Sequence, residues 1–449
     1  MRKLFGTDGV RGTANVDPMT PEVAHNLGRS AGYVFRELGR DVVLVGRDSR
    51  ISGDMLECAL IAGLCAVGTS VCRAGIVPTP AIAHLTGELS AQAGVMISAS
   101  HNPMPDNGIK FFNVDGTKLD DELEERIESV YESEAHRALQ PTAAEIGRVV
   151  DRRNVVERYL KFVHQTVPLG FDLSGLTIAV DCGNGATSFT SPVLLQRLGA
   201  EVVAINCVPD GLNINEQCGS QHLAPLREAV ARHLADVGVA HDGDGDRAVL
   251  VDEAGGVVNG DHILMLCARH LKAQGRLPGD TIVATMLANT GLDLTLAPDG
   301  IRVERSRVGD RFVWEKMREI GAPLGGEQAG HVIFAEFTRT GDGLVTALQV
   351  LWAMLDSGRP LSGLAADLIV VPQSTRDVRV SSKPPLEQMP LVQQALAAAE
   401  EALTGQGRVI FRYSGTEPLA RVMVEAQDWE LGERLAERVA AAVRESVPS

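Results

Sequence analysis

Long apolar runs are missing from this chain. None reaches the roughly 18 residues that a membrane-spanning helix needs, so an integral membrane protein is not expected. The opening Met1-Arg2-Lys3-Leu4-Phe5-Gly6-Thr7-Asp8-Gly9 turns polar too soon for a signal peptide, and a cytoplasmic location is expected. Paired cysteines are missing too. The seven present (Cys58, Cys65, Cys72, Cys182, Cys207, Cys218, Cys267) are scattered, odd in number and never spaced Cys-x-x-Cys. That speaks against a disulfide framework and a zinc site, and leaves reduced thiols. Basic charge is in deficit: 42 Lys and Arg face 58 Asp and Glu, a formal charge of −16. A broad nucleic-acid or anionic-membrane surface is thereby disfavoured. A small anionic substrate stays open if arginines gather locally. The Gly-x-x-x-x-Gly-Lys-Ser/Thr loop is absent, and so is Gly-x-Gly-x-x-Gly at a strand-to-helix turn, so neither that class of ATP or GTP hydrolysis nor nicotinamide binding is expected.

What is present reads as globular. Apolar residues make up 45% and charged residues 22% of 449, near ordinary averages, and the length suggests about three domains. Three stretches share one grammar. Val42-Val43-Leu44-Val45, Thr177-Ile178-Ala179-Val180 and Thr281-Ile282-Val283-Ala284 each break at a polar turn. Helical patterns follow, near Asp54–Ala66 and Ser191–Leu198 in the first two, then a Gly and another apolar run. Strand, helix and strand joined by short loops make the parallel-sheet unit, and three copies suggest three α/β domains of similar build.

The second half of each copy also matches: an apolar segment, a polar Gly-containing loop, and an apolar return. The loops are Ser98–Pro103, His241–Arg247 and Gly325–His331. One structural position thus carries three sets of polar groups, and one site assembled from three copies near a cleft is expected. The tail differs. Helix-like Leu391–Leu403 and Leu431–Val447 flank Val409–Tyr413, the turn Ser414–Pro418 and Ala420–Val424, a smaller α+β unit. Asp367–Pro385 reads as a connector with an edge strand. A boundary lies near Asn154–Gly175, where Asn154 with Glu157 resembles a capping box and Val156, Tyr159, Leu160 and Val163 mark a helix face.

Asp242, Asp244 and Asp246 alternate with glycines that permit a tight wrap. Converging them needs a cation, because each pair at about 4 Å repels by roughly 4 kcal/mol at an effective dielectric near 20. Oxygen-only ligands favour Mg2+. A solvated acidic turn is the plain alternative. An EF-hand fails, because Arg247 sits where its turn needs Gly. Ser100 is either a loop-capping serine or a nucleophile. Beside a metal loop, and outside any Gly-x-Ser-x-Gly setting, the nucleophile is better suited to a phosphoryl group. Lys110 could neutralise charge or move a proton. His101 is a second candidate, although a lone histidine is more often a loop hydrogen-bonder. Arg412, Ser414, Gly415, Thr416 and Arg421 fit a phosphate cradle or, more plainly, a hairpin turn with flanking arginines. Glu327 could accept sugar hydroxyl protons or simply face solvent. Arg11 and the pair Asp310-Arg311 are weaker signals of the same kind.

In this order the motifs resemble the α-D-phosphohexomutases, essentially end to end. Ile97–Pro103 with Gly108-Ile109-Lys110 is similar to that family's phosphoserine loop and Asp242–Arg247 to its metal loop. Gly326–His331 is similar to its sugar loop and Arg412–Pro418 to its phosphate loop. Phe5–Gly12 and Ser98 resemble the glucosamine branch more than the phosphomannomutase or phosphoglucomutase branches, which are the alternatives. One departure is Ala329, where the family usually has Ser. The lost hydroxyl removes a contact of roughly 1 kcal/mol that a water can partly recover. It leaves the reaction class intact and bears on how strictly the sugar is chosen.

The resemblance implies three similar α/β domains with mixed sheets plus a smaller C-terminal α+β domain around a central cleft. Their expected ranges are 1–153 (phosphoserine), 154–255 (metal), 256–368 (sugar) and 369–449 (phosphate). It implies an isomerase that interconverts glucosamine 6-phosphate and glucosamine 1-phosphate and supplies UDP-N-acetylglucosamine for the cell wall. Ser100 is the implied phosphoserine, with one Mg2+ per chain on Asp242, Asp244, Asp246 and the Ser100 phosphate. Lys110 is the first choice for acid/base work, and His101 the second. Arg247 would screen a bisphosphate. Arg11, Asp310, Arg311, Glu327, Ala329 and His331 would meet the sugar, and Arg412, Ser414, Gly415, Thr416 and Arg421 its phosphate. Hexosamine or glucose 1,6-bisphosphate would be intermediate and activator. The expected partner is a phosphosugar, with no nucleic acid and no membrane, and the assembly considered is a homodimer. The rivals are an aspartate-nucleophile phosphatase, which needs Thr or Val where Asp246 stands, and a phosphosugar-binding protein without turnover.

Overall fold

A computed structural model describes residues 4–6, 8–152, 154–404, 407–414 and 418–447. The chain forms two compact units: one runs to Leu287 and adds Val303–Ala366, and the other joins Ala288–Arg302 to the segment from Asp367 onward.

The first unit is built on three sheets with one shared plan. In the first, strand Val42–Arg47 lies parallel to both Ser70–Ile76 and Ala93–Ile97, and Ala93–Ile97 turns back antiparallel into Asp106–Asn113. In the second, Thr177–Asp181 lies parallel to Glu201–Ile205 and Val237–His241, which turns back into Ala248–Asp252. In the third, Thr281–Thr285 lies beside Arg302–Ser306 and parallel to Leu324–Gly326, which turns back into Val332–Phe334. The β-branched runs seen in the sequence are the central strands. They are apolar along their whole length because both faces are covered. In the first sheet Val43, Val45, Val95, Ile97 and Phe111 pack with Leu27, Leu56 and Leu60 of helices Pro21–Glu37 and Ser52–Ala66. Each sheet is mixed, because a parallel crossover is followed by a hairpin. The three hairpin turns are the three polar loops of the sequence.

The second unit is antiparallel. Leu419–Ala426 lies between Gln373–Arg379 and Gly407–Tyr413, and helices Pro390–Leu403 and Trp429–Ser446 pack on the sheet. Gln373–Arg379 is the edge strand expected within the connector. Helix Gly291–Leu296, which lies inside the third repeat in sequence, clusters with this unit. Asn289 Nδ2 donates to the Val371 carbonyl at 2.8 Å, and the Val371 N–H returns a bond to Asn289 Oδ1 at 3.0 Å.

One local expectation is corrected. Helix Val155–His164 does begin after Asn154, but the Asn154 side chain makes no capping bond. Its backbone (φ −104°, ψ 17°) lacks the extended conformation that aims a cap at the first turn. Glu157 pairs with Arg197 at 2.9 Å instead. Val155, rather than Val156, joins Tyr159, Leu160 and Val163 on the buried face. Among the described residues no helix is long and apolar enough to cross a membrane.

Candidate active site

The hairpin loop of the first sheet carries Ser100, which is buried and held at φ 52°. A non-glycine residue enters this left-handed region only at a cost, so something must hold it there. The hairpin loop of the second sheet carries Asp242, Asp244 and Asp246, all buried, each offering an oxygen within 4.8 Å of the others'. Its glycines are needed. Gly245 sits at φ +70°, and a Cβ on Gly243 would lie 2.7 Å from the Ser100 carbonyl. That approach brings the two loops together: Ser100 Oγ donates to Asp242 Oδ2 at 2.6 Å.

The surroundings treat the carboxylates unequally. Burial, then Asp246 and Asp244, push the Asp242 carboxyl well above its usual range. Burial also opposes the charge on Asp246, yet His331, Lys110 and Arg247 hold it well below. Asp244 Oδ1 and Asp246 Oδ1 are buried and have no hydrogen-bond partner. Orphaned oxygens of this kind, in an all-oxygen set, fit a hard divalent cation.

Cations and acids alternate around the triad. Lys110 Nζ donates to Asp244 Oδ2 at 3.0 Å and lies 3.5 Å from Asp8. Burial opposes its charge, but Asp244 and Asp8 raise it above the ordinary lysine value, so Lys110 is held protonated. Asp8 also pairs with Lys118 and Arg11, and Lys118 reaches Asp310 at 2.6 Å. Asp310 lies 3.7 Å from His331 Nε2, and His331 Nδ1 lies 3.6 Å from Asp246. The Gly341 N–H donates to His331 Nε2 at 2.8 Å, which places a neutral ring's proton on Nδ1, facing Asp246. Arg247 Nε lies 3.9 Å from Asp242 and 3.8 Å from Asp246. His101 Nδ1 is 3.4 Å from Ser100 Oγ, and burial, then Arg247 and Arg11, push its pKa down to about 4. It faces the serine as a neutral imidazole.

The structure therefore brings together Ser100, His101, Lys110, Arg11, Arg247, Asp310, His331 and the three aspartates. Glu327 is half-buried on the third hairpin loop, its Oε1 accepting from the Gly309 N–H at 3.1 Å, and Ala329 is exposed on the same loop. Arg311 does not join them: its guanidinium engages Asp121 at 2.6 Å and Glu315 at 3.0 Å. In the second unit Arg412 and Arg421 are paired across neighbouring strands, and Arg421 Nε lies 3.5 Å from Asp377. Ser414 follows, with its carbonyl accepting from Lys383 Nζ at 2.5 Å. Gly415 and Thr416 lie outside the described residues.

Several participants escaped the sequence reading. Lys118 and Asp8 complete the alternating ring, and Thr79 braces the metal loop. Its hydroxyl donates to Asp244 Oδ2 at 2.6 Å and its N–H to the Asp244 carbonyl at 2.8 Å. Asp8 had a signal, since it stands in the same Gly6–Gly12 stretch as Arg11. Asp48 and Arg50 had one as well, a polar cluster at the end of a central strand, but it reads as an ordinary turn.

The chain is similar to known proteins along almost its whole length. Residues 2–138, 157–256, 259–370 and 377–442 match, in that order, alpha/beta/alpha domains I, II and III and the C-terminal domain of the phosphoglucomutase/phosphomannomutase family. A phosphoglucosamine mutase of Symbiobacterium thermophilum is 50% identical over 446 residues, covering 99% of both chains. A phosphoglucomutase/phosphomannomutase family protein of Burkholderia thailandensis superposes with a TM-score of 0.83 at 25% identity, covering 100% of this chain and 98% of its own. An Aspergillus fumigatus N-acetylphosphoglucosamine mutase, solved with GlcNAc-6P and magnesium, shares the fold at a TM-score of 0.71 and 18% identity, covering 99% of this chain and 96% of its own.

Proposed function

The chain belongs to the phosphoglucomutase/phosphomannomutase family, and from that premise we propose that it is an isomerase interconverting glucosamine 6-phosphate and glucosamine 1-phosphate. One observation carries the chemistry: a buried serine hydroxyl lies 2.6 Å from one of three converging carboxylates. The choice of sugar is supported by the 50% identical relative.

In this reading Ser100 carries a phosphoryl group at rest. The substrate's own phosphate is assigned to Arg412, Ser414, Gly415, Thr416 and Arg421, and its hydroxyls to Glu327 and His331. The free sugar hydroxyl attacks phosphorus. The P–O bond to Ser100 breaks as the P–O bond to the sugar forms, and the proton lost by the sugar is balanced by one gained at the Ser100 oxygen. Lys110, held protonated between Asp244 and Asp8, offsets phosphoryl charge and relays the proton, giving one to the Ser100 oxygen and taking up the one the sugar hydroxyl releases. Neutral His101 orients the serine oxygen. The bound 1,6-bisphosphate then turns, and its other phosphoryl group returns to Ser100. Arg247 and Arg11 screen its charge meanwhile. The family uses a metal ion. Asp242, Asp244 and Asp246 would hold it, and Mg2+, the ion their donor set favours, supplies Lewis-acid charge stabilisation when bound. A hexosamine or glucose 1,6-bisphosphate would restore a chain that has lost its phosphate. The product would enter UDP-N-acetylglucosamine synthesis in the cytoplasm.

The test is to assay glucosamine, glucose and mannose phosphates side by side while intact mass reports phosphate on the chain. Glucosamine phosphates should turn over fastest, on a chain carrying one phosphate. Faster turnover of mannose or glucose phosphates would move the assignment to a neighbouring branch. Release of free phosphate without isomer would replace the mutase with a phosphatase.

A further inference from the structure

The left-handed backbone of Ser100 is held by a second set of residues, Asp48, Arg50, Ser98 and Asn215. Arg50 is fully buried and all five of its guanidinium N–H groups are used. Nε donates to Asp48 Oδ2 at 2.9 Å. Nη1 donates to the carbonyls of Pro103 at 2.6 Å and Asp106 at 3.0 Å. Nη2 donates to the carbonyls of Ser100 at 2.9 Å and Asn102 at 2.8 Å. Asn215, from the second sheet's domain, adds Nδ2 bonds to the same two carbonyls at 2.9 and 3.1 Å. A second path runs through Ser98. Its hydroxyl donates to Asp48 Oδ2 at 2.7 Å and accepts the Ser100 N–H at 2.9 Å. Asp48 and Ser98 are also fully buried.

Both faces of the Ser100 peptide are thus fixed: its N–H by Ser98, its carbonyl by Arg50 and Asn215. Asp48 ties the two paths together. A planar guanidinium with five donors can collect four carbonyls and a carboxylate at once, and a lysine with three tetrahedral donors cannot. We propose that Asp48, Arg50 and Ser98 are positioning residues for phosphoryl transfer. They hold Ser100 at φ 52°, where its Oγ meets the metal loop, and so set the rate of the chemical step without contacting substrate. This rests on the reading of Ser100 as phosphoryl carrier. An offset of about an ångström in a reacting group is enough to cost on the order of a hundredfold in rate.

The test compares wild type with Ser98→Ala and Arg50→Lys in turnover of glucosamine 6-phosphate with Mg2+ present. The rate is normalised to the fraction of chains carrying phosphate on Ser100, measured by intact mass and peptide mapping. Ser98→Ala removes one hydroxyl and leaves Arg50 in place, so it keeps the experiment decisive if Arg50→Lys does not fold. The expected result for Ser98→Ala is a fall in kcat per phosphorylated chain of about tenfold with KM within about twofold, and for a folded Arg50→Lys a fall of about a hundredfold. A merely structural role would lower melting temperature and the phosphorylated fraction but leave kcat per phosphorylated chain unchanged, and that result overturns the proposal. Wild-type turnover with no phosphate ever on Ser100 is a different result: it removes the carrier reading, and this proposal with it.

Discussion

The hairpin loops of the first and second sheets hold the same place in the same strand order, and they are finished in opposite ways. The Ser98–Pro103 loop is complete within the protein, its carbonyls gathered by Arg50 and the Ser100 N–H capped by Ser98. The Asp242–Arg247 loop is left incomplete. Three carboxylates converge, and two of their oxygens have no hydrogen-bond partner. At about 4 Å and an effective dielectric near 20, each such pair repels by roughly 4 kcal/mol; Lys110 and Arg247 offset this in part, and burial with the other two aspartates still pushes Asp242 well above its usual range. The contrast teaches that one repeated scaffold supplies position, while the side chains decide whether a loop is rigid and self-sufficient or strained toward a ligand.

The largest expected effect comes from emptying the first loop. Ser100→Ala should lower kcat by about 10³-fold or more and abolish phosphate on the chain, as removal of a nucleophile does. Turnover near wild type in that variant would end the carrier assignment. Next is relief of the second loop. Asp242→Asn should raise thermal stability without metal, because the raised Asp242 pKa means its charge costs stability at pH above both folded and unfolded values. The same variant should lose most of the stabilisation that Mg2+ gives wild type, about 2.7 kcal/mol at a hundred times Kd. Melting curves with and without Mg2+ decide it, and a variant less stable in chelator than wild type would contradict the strained-loop account.

A smaller effect is expected in the second unit. Arg421→Ala should raise KM roughly 10- to 100-fold, the worth of a charged hydrogen bond, with kcat nearly unchanged. A loss confined to kcat would count against docking of the non-reacting phosphate there. The smallest concerns a buried acid that is partnered. Asp342 accepts from the Tyr159 hydroxyl at 2.9 Å and caps helix Gly343–Ser357, yet burial raises its pKa to about 6. Between pH 4 and 6 the folded state then binds more protons than the unfolded chain, so this group's contribution to stability falls as pH rises through that window. Asp342→Asn keeps an acceptor and a cap, and its melting temperature relative to wild type should be higher at pH 8 than at pH 4.5. An equal difference at both would show that burial does not penalise this charge.

Much of this was legible in the sequence because it is local. The three β-branched runs, their polar breaks and the returning apolar segments follow from strand periodicity and turn chemistry, and they gave the three α/β repeats and the three loops, while the mixed sheets were what the resemblance implied. Ser100 and the aspartates sit on those loops, and Lys110 sits on the strand that returns from the first of them. What stayed hidden depends on distant partners. Arg50 looks like a turn arginine until the fold brings the carbonyls of 100–106 to it. Lys118 gains its meaning only beside Asp8 and Asp310. Helix Gly291–Leu296 lies in the third repeat by sequence but joins the second unit through Asn289 and Val371. Arg311 matched a motif, and its competition with Asp121, 190 positions away, carries no local signal.

The central claim is that phosphorus passes through the protein. Wild-type enzyme should be mixed with glucosamine 6-phosphate labelled with radioactive phosphorus, quenched after the first turnover and digested. The account predicts label on the peptide containing Ser100, discharged when unlabelled glucosamine 6-phosphate is added. Isomerisation at full rate with the polypeptide unlabelled at every time point would contradict it.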